Sequence, residues 1–402
     1  MDVLILHQHF KTPAGGGAIR SYYLAKALAD RGHKVVVITA HNQRHYRFEK
    51  LEGIEVHYLA VDYDNRYGFY ARGWAFLKYL WLAGRLAARL PKPHICYAIS
   101  VPITIGWVAR WLQWRHRIPF IFEVGDLWPD APVQMGFVKN YFLQQVLYQL
   151  ERNTYRAANS IVALSPAIAE AIQKKVPGKS VHVVPNMADC EFYQPVAKDP
   201  LLVQRFGLAG KLVVSYLGAV GVANGLDYLL ECANAVRKAQ LPVHFVICGD
   251  GALLDRLKNN AVQLGLIKDV QTAKGDWLTF LPFTNRKGVQ EILNVTDAVF
   301  VSYKPVPILE TGSPNKYFDG LAAGKMIVIN FGGWIKKDLV ESGCGFFVSP
   351  QRPTEFVAKI TPFIENPLLL ATCQQAARNL ALQKYSRRKL TEEWIRILLS
   401  GG

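Results

Sequence analysis

Residues 310–328 read ETGSPNKYFDGLAAGKMIV, a polar loop that leads into a helix and then into a strand. The turn residues Gly, Ser and Pro precede the small apolar run LAAG, which is followed directly by the strand-like MIV. A loop, a helix and a strand in this order are typical of the strand–helix–strand units that build parallel sheets. Glu310, Lys316 and Asp319 gather at the loop end, where a helix that only packs does not require charge. The stretch therefore predicts an α/β sheet with a site for a charged, hydroxyl-rich ligand.

Strand-like apolar runs alternate with helical patterns along the whole chain. The predicted strands are Val3–Leu6, Lys34–Thr39, Ile54–Leu59, Ile95–Ala98, Phe120–Val124, Ser160–Leu164, His182–Val184, Leu212–Leu217, Val243–Cys248, Leu278–Leu281, Ala298–Ser302, Met326–Asn330 and Phe346–Val348. This alternation indicates parallel sheets that are covered by helices on both faces. So many strands exceed one ordinary sheet, and a proline-containing segment without periodicity lies at 184–200. We therefore predict two doubly wound α/β domains, residues 1–190 and 200–380.

The composition argues against disordered, disulfide-rich and membrane-spanning proteins. Of the 402 residues, 50% are hydrophobic and 19% are charged, which suits large buried cores. Six scattered cysteines without a CxxC pair predict a reducing cytoplasm, with neither a disulfide framework nor a zinc site. The short apolar N-terminus does not predict a signal peptide, and we expect no membrane span because no run of about 18 apolar residues occurs.

The net charge of +16 is unevenly distributed along the chain. No acidic residue occurs between Asp64 and Glu123, whereas nine Lys or Arg and five of the nine Trp lie there. Three basic residues of a predicted helix fall within an arc of about 40° at about 100° per residue, and two tryptophans border them. These residues are Lys78, Arg85 and Arg89, bordered by Trp74 and Trp81. The pattern predicts a helix that contacts an anionic membrane, with an ordinary solvated helix face as the alternative.

A second set of tryptophans shares one face of the next predicted helix. Trp107, Trp111 and Trp114 lie in WVARWLQWRHRIPF, which leads directly into the strand at 120–124. For this set we expect packing in the core, since the segment continues into a buried strand.

Glycine-rich loops follow three predicted strands, and ligands of parallel α/β sheets bind at such carboxyl ends. In HQHFKTPAGGGAIR, Gly16 and Gly17 are predicted to aim backbone amides at a phosphate, with Arg20 in the next helical turn as a further phosphate ligand. A GxGxxG dinucleotide fingerprint would need glycine at Arg20, which argues against NAD. Gly218 and Gly249 are predicted close-approach positions after their strands. Asp250 is expected to cap the following helix.

Two further loops carry acids or amides at strand ends. Asp126, in EVGDLWPDAP, is predicted to accept a hydrogen bond from a sugar hydroxyl or a nucleophile, or else to stabilise a turn. In SPNKYFDG, Ser313 is predicted to cap a helix that starts at Pro314. The amides expected to surround a diphosphate belong to Gly312, Ser313, Asn315 and Lys316, and Asp319 is expected to accept two ribose hydroxyls.

These segments together resemble the retaining glycosyltransferases of family 4, which have the GT-B fold. The resemblance rests on GGGAIRSYYLAKALADRGHKVVVIT, VPNMADCEFYQP, ICGDGALLDRL, SPNKYFDGLAAGKMIV and QKYSRRKLTEEWIRILL. The element EVGDLWPD resembles a bacterial subgroup that builds O-antigen, capsule and exopolysaccharide. The resemblance covers almost the whole chain, although its motifs do not specify a sugar.

The resemblance implies two Rossmann-like domains that face a cleft, with the acceptor on the first and the nucleotide on the second. The last helix is implied to cross back, so that part of 380–402 joins the first domain. The donor is expected to be a nucleotide-diphosphate sugar, with UDP as the carrier, and no metal or cofactor is expected. The expected acceptor is lipid-linked or another glycan, which places the protein in the cytoplasm on the inner face of the membrane.

Two departures from the family pattern decide which residues we assign to the chemistry. The family has two glutamates separated by seven residues, whereas here Asp319 takes the second position, Thr311 takes the first and Glu310 precedes it. The family places Arg and Lys after the first strand of the second domain, but GAVGVANG has neither. We therefore expect Lys316, Glu310 and Asp126 to be catalytic and Thr311 to contact the donor. Lys304 is a weaker candidate for the diphosphate.

Two other functions remain open at this stage. The altered signature is compatible with a catalytically silent nucleotide-sugar binder that scaffolds an assembly complex. The pI near 9.5 is compatible with a nucleic-acid binder, but no recognisable RNA-binding motif accompanies the basic residues. We therefore expect no nucleic-acid partner.

Overall fold

The computed structural model describes residues 1–15, 19–64 and 67–401, and it contains two compact units. The N-terminal unit comprises Met1–Pro185, Thr311–Ser313 and the C-terminal segment from Arg388. The C-terminal unit comprises Asn186–Glu310 and Pro314–Arg387. Within the described chain, no helix combines the length and the apolar character that crossing a membrane requires.

The N-terminal unit is built on a sheet of eight strands in the order β3-β4-β2-β1-β5-β6-β7-β8. The strands are β1 Asp2–Leu6, β2 Lys34–His41, β3 Arg47–Leu51, β4 Ile54–Ala60, β5 Ile95–Ile99, β6 Phe120–Val124, β7 Ser160–Ala163 and β8 Val181–Val183. The central strands β5 and β6 are buried at every residue, as strands covered on both faces must be.

The edge strand β3 corrects the prediction of a purely parallel sheet. It pairs antiparallel with β4, in register from Arg47 opposite Tyr58 to Leu51 opposite Ile54. Its sequence RFEKL carries three charges, so it lacks the apolar run by which the other strands are recognised. Charge is common at sheet edges because it discourages pairing with other chains.

The described part of this unit before Pro185 contains six α-helices. They are α1 Arg20–Ala29, α2 Phe69–Ala87, α3 Ile105–His116, α4 Asp130–Gln134, α5 Tyr141–Ala157 and α6 Pro166–Lys175. The chain steps one way along the sheet from β1 to β2, and the other way from β4 through β5, β6 and β7 to β8. Because such crossovers are right-handed, α2, α3, α5 and α6 lie on one face and α1 on the other.

The outward side of α3 corrects a second prediction. Its buried residues are Ile105, Gly106, Val108, Ala109 and Leu112. Trp111 and Trp114, which were predicted to lie in the core, are 37% and 78% exposed. The sequence pattern misled because the aromatic side chains, which usually mark the core, occupy the solvent side of this helix.

The C-terminal unit is a six-stranded sheet in the order β11-β10-β9-β12-β13-β14, parallel throughout. Its strands are β9 Leu212–Leu217, β10 Val243–Cys248, β11 Leu278–Leu281, β12 Ala298–Val301, β13 Met326–Ile329 and β14 Gly345–Phe347. Its helices are α7 Pro200–Phe206, α8 Asp227–Lys238, α9 Leu254–Gln263, α10 Arg286–Val295, α11 Asn315–Ala322, α12 Gly333–Ser342, α13 Glu355–Glu365 and α14 Pro367–Leu380.

The final helix, α15 Arg387–Ser400, returns to the N-terminal unit, as the family resemblance implied. The ring of Trp394 packs edge-on against Tyr97 of β5, with centroids 5.0 Å apart. Glu392 forms an ion pair with Arg31, which follows α1, so α15 covers the α1 face of the sheet.

Candidate active site

The carboxyl edge of the six-stranded sheet has a topological switch point between β9 and β12. The chain runs outward from β9 to β10 on one side and from β12 to β13 on the other, which leaves a crevice between the two departing loops. The loop after β9 begins at Gly218, and the loop after β12 contains Lys304. The amide of Lys304 donates a hydrogen bond to the carbonyl of Ala223 at 2.8 Å, which joins the two loops.

Helix α11 carries Lys316 to this crevice. The ammonium lies 4.8 Å from the ring centroid of Tyr216 and 6.0 Å from that of Tyr303, within cation–π range of both. A Cβ on Gly218 would lie 3.1 Å from Lys316 Cε, so the glycine makes room for the lysine stem. The sequence identified Lys316 and Gly218, but it missed the two tyrosines because each reads as an ordinary strand or loop residue.

Tyr303 is held in place by an asparagine that sequence reasoning also missed. Asn330, at the end of β13, accepts a hydrogen bond from the amide of Tyr303 and donates one to its carbonyl, both at 3.0 Å. This paired contact fixes the loop after β12 against the loop after β13. The signal available in the sequence was a single polar residue at the end of an apolar strand.

The apolar remainder of α11 anchors the helix against the sheet. A Cβ on Gly320 would lie 2.9 Å from Ile327 Cδ1, so the helix approaches β13 closely. Tyr317 is fully buried, and its hydroxyl donates a hydrogen bond to Asp338 at 3.2 Å. The run LAAG is buried at every residue beneath the charged residues of the helix, as predicted.

Gly249 allows two loop backbones to approach each other. A Cβ at this position would lie 1.8 Å from the carbonyl oxygen of Gly218, so no other residue fits without displacing a loop. The amide of Gly218 in turn donates to the carbonyl of Cys248 at 2.9 Å. Asp250 does not cap a helix, contrary to the prediction, because its carboxylate accepts from the amide of Gly251 and α9 starts only at Leu254.

Asp319 and Lys316 lie one helical turn apart and have opposite pKa shifts. Both are half-buried. Burial raises the pKa of Asp319 to about 7, an effect that Arg286 opposes and Asp189 reinforces. Burial lowers the pKa of Lys316 to about 8, and the nearby Asp319 opposes that shift. Each of the two charges opposes the shift that burial causes in the pKa of the other group.

Arg286 is a third charged residue near Asp319, and the sequence did not identify it. Its guanidinium pairs with Asp189 at 2.6 Å and lies 3.9 Å over the ring of Phe192. It stands at the start of α10, where Asn285 caps the helix by accepting from Gly288 N. An arginine in a helical first turn gives no sequence signal that distinguishes it from a surface residue.

The start of α11 differs from the predicted cap. The helix begins at Asn315, with Pro314 in the cap position and no side-chain cap, so Ser313 is not the N-cap. Asn315 is exposed at this terminus. Thr311, Gly312 and Ser313 group with the N-terminal unit, whereas Glu310 and Lys316 belong to the C-terminal unit.

Glu310 contacts the loop that follows β13. Its carboxylate accepts a hydrogen bond from the amide of Gly332 at 3.2 Å, beside the first turn of α12. A Cβ on Gly332 would lie 2.8 Å from Glu310 Oε2, and one on Gly333 would lie 2.6 Å from the Glu310 carbonyl oxygen. Glycines at both positions therefore admit Glu310, whose negative charge suits a helix N-terminus.

Arg20, a predicted phosphate ligand, has protein partners in the structure that the sequence did not predict. Its guanidinium pairs with Glu123 at 3.0 Å and donates to the carbonyls of Val184 and Pro185. The side chains of Arg20 and Glu123 are 8% and 2% exposed, and the hydroxyl of Tyr97 also donates to Glu123. Arg20 is therefore committed to a buried ion pair that joins the ends of β6 and β8. The predicted phosphate ligands Gly16 and Gly17 lie outside the described residues.

Asp126 is the exposed member of three acids at the end of β6 and in the segment after it. Glu123 is occupied by Arg20, and Asp130 forms an ion pair with Lys175, which also binds the buried Glu151. Burial around the Asp126 carboxyl raises its pKa, and its hydrogen bond to a ligand stays a prediction. Among the described residues, no cluster of His, Cys, Asp and Glu is arranged to hold a metal ion.

Comparison with known families identifies two adjoining matches. Residues 15–187 match the Glycosyl transferase 4-like domain, and residues 203–380 match Glycosyl transferases group 1. Between them the matches cover most of the chain.

Two curated proteins illustrate the similarity. The probable glycosyltransferase WbjE of Pseudomonas aeruginosa is 23% identical over 327 residues, which cover 79% of this chain and 78% of that protein. The putative colanic acid biosynthesis glycosyl transferase WcaI of Escherichia coli K12 is 25% identical over 283 residues, covering 68% and 66%.

Solved structures share the architecture over the full chain length. Sucrose-phosphate synthase from Thermosynechococcus elongatus superposes with a TM-score of 0.78 at 15% identity, covering 100% of both chains. Anabaena HepE in complex with UDP-glucose gives a TM-score of 0.71 at 19% identity, also over 100% of both. At these identities the likeness establishes the fold.

Replacing Arg20 tests its reassignment. Arg20→Met leaves the buried Glu123 unpaired, so we expect the free energy of unfolding to fall by about 3–5 kcal/mol, with no loss of nucleotide affinity in the folded protein. Urea unfolding and calorimetric titration with UDP measure the two quantities. The matched control is Arg31→Met, which breaks an exposed ion pair and should cost less than about 1 kcal/mol. Reduced UDP affinity at unchanged stability would restore the phosphate role.

Gly249→Ala tests the close contact between the loops. The added Cβ would meet the Gly218 carbonyl at 1.8 Å, so the loop beside Lys316 has to move. We expect UDP affinity to fall at least about tenfold, which corresponds to about 1.4 kcal/mol. Gly265→Ala is the control, because its φ is also positive but no atom lies within 4 Å of the added Cβ. Equal affinities in the two variants would show that the contact does not shape the site.

Proposed function

The chain belongs to glycosyltransferase family 4, a retaining hexosyltransferase family with the GT-B fold, and we propose that it transfers a sugar from UDP to a lipid-linked acceptor in bacterial surface polysaccharide synthesis. The observation that carries this proposal is the position of Lys316 beside the loop after β9, at the switch point of the C-terminal sheet. A cation at that position suits a nucleotide diphosphate, because ligands of such sheets bind at the switch point.

The C-terminal unit supplies the groups that a nucleotide-diphosphate sugar requires. Lys316 offers a cation for the diphosphate, and the loops that begin at Gly218 and Gly249 offer closely placed backbone. Asp319 offers a carboxylate that can accept from both ribose hydroxyls. UDP as the carrier is supported by the likeness to HepE, which was solved with UDP-glucose.

Cleavage of the donor places negative charge on the departing diphosphate. Lys316 stabilises that charge and therefore acts mainly on the transition state. It takes the role that the family gives to basic residues after the first strand of the second domain, which GAVGVANG lacks. Lys304 is the weaker candidate for a second cation, and the hydrogen bond of its amide to Ala223 supports this because it joins its loop to the loop after β9.

Glu310 and Asp126 have the remaining roles in this proposal. Glu310, oriented by the amide of Gly332, contacts the donor sugar. Asp126, exposed after β6, accepts a hydrogen bond from the acceptor hydroxyl and so orients the nucleophile. Asn315, Thr311, Gly312 and Ser313 are the proposed backbone contacts of the donor.

The proposed acceptor is a glycan carried by a lipid, and the protein is proposed to work in the cytoplasm on the inner face of the membrane. WbjE and WcaI, one of them named for colanic acid synthesis, support a place in surface polysaccharide assembly. The basic residues predicted to meet the membrane, Lys78, Arg85 and Arg89, are all exposed, with Trp74 and Trp81 beside them. An anionic surface attracts such a segment by about 1 kcal/mol per basic residue.

The proposal is tested by incubating the protein with a panel of UDP-, dTDP- and GDP-linked sugars and a short polyprenyl-diphosphate glycan. We expect transfer from a UDP sugar, and we expect NMR of the product to show that the anomeric configuration is retained. Binding of a nucleotide sugar without hydrolysis or transfer would identify a silent scaffold instead. Absence of UDP-sugar binding would overturn the donor assignment.

The opposite pKa shifts of Asp319 and Lys316 predict a bell-shaped pH dependence. Asp319 loses its acceptor charge below a pKa of about 7, and Lys316 loses its positive charge above about 8. We therefore expect kcat/KM to peak between about pH 7 and pH 8 and to fall on both sides. Asp319→Asn should remove the acid limb, while Asp319→Ala should weaken UDP binding more than it lowers kcat. Unchanged UDP affinity in Asp319→Ala would contradict the ribose assignment.

Lys316→Ala tests transition-state stabilisation. Because charge on the diphosphate grows as the bond breaks, we expect kcat to fall about 100-fold or more while UDP affinity changes less. Steady-state kinetics and calorimetry separate the two effects. Lys337→Ala, on the exposed side of α12, is the matched control and should alter neither. An equal loss of affinity and rate would assign Lys316 to ground-state binding.

A further inference from the structure

Exposed aromatic and apolar side chains are concentrated in one part of the N-terminal unit. Of the twenty-one large apolar side chains exposed among the described residues, eleven lie between positions 70 and 146. They are Tyr70, Trp74, Leu77, Trp81, Trp111, Trp114, Phe137, Tyr141, Phe142, Leu143 and Val146. Surface residues of this kind normally occur singly, so a cluster indicates an interaction surface.

All of these side chains except Phe137, which precedes α5, belong to three helices that lie side by side. Helices α2, α3 and α5 cover the same face of the eight-stranded sheet, and α3 contacts both of the others. Each helix buries its opposite side against the sheet, as shown by Tyr79 in α2, Leu112 in α3 and Tyr155 in α5. The exposed aromatics therefore share the outer surface of one layer, which we call the aromatic layer.

The aromatic layer is also positively charged. Its three helices contain a single acidic residue, Glu151, which is fully buried and paired with Lys175. The basic residues exposed on the same helices are Lys78, Arg85, Arg110, Arg115 and Arg156. One of them stacks on an aromatic ring, with the guanidinium of Arg85 5.4 Å from the centroid of Trp81. A second copy of this surface would place like charges together, so self-association is disfavoured.

We propose that the aromatic layer inserts its tryptophan, tyrosine and phenylalanine side chains into the headgroup region of an anionic lipid bilayer. Indole and phenol rings suit this region because they have an apolar body and a polar tip, and basic side chains suit the anionic headgroups. This inference rests on the proposed function and deepens its membrane component. The inference assigns membrane binding to the inserted aromatic side chains of α3 and α5 as well as to the basic residues of α2.

Insertion and charge attraction respond differently to salt. Attraction between exposed charges is screened over about 3 Å at 1 M ionic strength, whereas burial of apolar surface is not weakened by salt. A purely electrostatic contact would therefore be released by 1 M NaCl. Inserted aromatics would keep the protein on the bilayer, and their indole fluorescence would be quenched by lipids brominated near the headgroup.

The experiment measures co-sedimentation of the full chain with phosphatidylglycerol–phosphatidylethanolamine vesicles in 0.1 M and 1 M NaCl. We expect Trp111→Ser/Trp114→Ser to lower the partition coefficient at least about 100-fold in 1 M NaCl. Tyr141→Ser/Phe142→Ser, on the neighbouring helix, should act in the same direction. The charge variant Lys78→Glu/Arg85→Glu/Arg89→Glu should lose binding in 0.1 M NaCl.

Leu368→Ser/Leu369→Ser is the matched control, since both leucines are exposed on α14 of the other unit and should not affect sedimentation. UDP binding and turnover on a short soluble acceptor should be unchanged in the aromatic variants.

Equal binding of Trp111→Ser/Trp114→Ser and wild type in 1 M NaCl would overturn insertion. Insertion would also be overturned if the aromatic variants formed a smaller oligomer than the wild type, because the layer would then be an interface between copies of the chain. It would likewise be overturned if single-stranded DNA bound the wild-type protein and displaced it from the vesicles. If the wild-type protein transferred no sugar from any UDP sugar, that result would contradict the proposed function. The sedimentation experiment would still decide whether the aromatic layer inserts into the bilayer.

Discussion

The C-terminal unit depends on a backbone contact that only glycine permits. In a parallel sheet the loops after neighbouring strands leave from the same edge, so the loops after β9 and β10 meet at Gly218 and Gly249. The carbonyl of Gly218 lies where a side chain at Gly249 would have to be. The backbones of the two loops therefore lie against each other, with no side chain between them. The stem of Lys316 lies against Gly218, and its ammonium is within cation–π range of the rings of Tyr216 and Tyr303.

The same compactness sets the electrostatics of the candidate site. Lys316 and Asp319 are held in a region where burial opposes charge on both, so each pKa moves toward neutrality and each charge supports the other. A diphosphate that approaches Lys316 favours its charged form. The loop after β9, GAVGVANG, contains no Arg or Lys, and Lys316 of helix α11 lies against it at Gly218.

Much of this architecture follows from sequence patterns, and the failures have a common cause. The apolar strands were predictable, because strands covered on both faces must be apolar throughout. The strand β3 was missed because its edge position favours charge. Lys316 and Asp319 could be proposed from the turn residues and charges around them, whereas Tyr216, Tyr303, Asn330 and Arg286 depend on contacts between distant segments. The ion pair of Arg20 was not predicted because its partner, Glu123, is far away in the sequence.

The tryptophans of α3 show why a hydrophobic pattern alone cannot assign a surface. Ile105, Val108 and Leu112 already satisfy the sheet beneath the helix, so Trp111 and Trp114 have no core left to fill. Exposed indoles on a helix layer whose single acidic residue is buried favour association with something apolar and anionic. These indoles share the surface with exposed arginines, and an anionic bilayer suits both, because its headgroup region offers apolar and negatively charged groups at the same depth. A protein partner would need acidic and apolar groups placed to match the arginines and indoles of this surface. The headgroup region of an anionic bilayer provides both kinds of group at every point of the membrane surface.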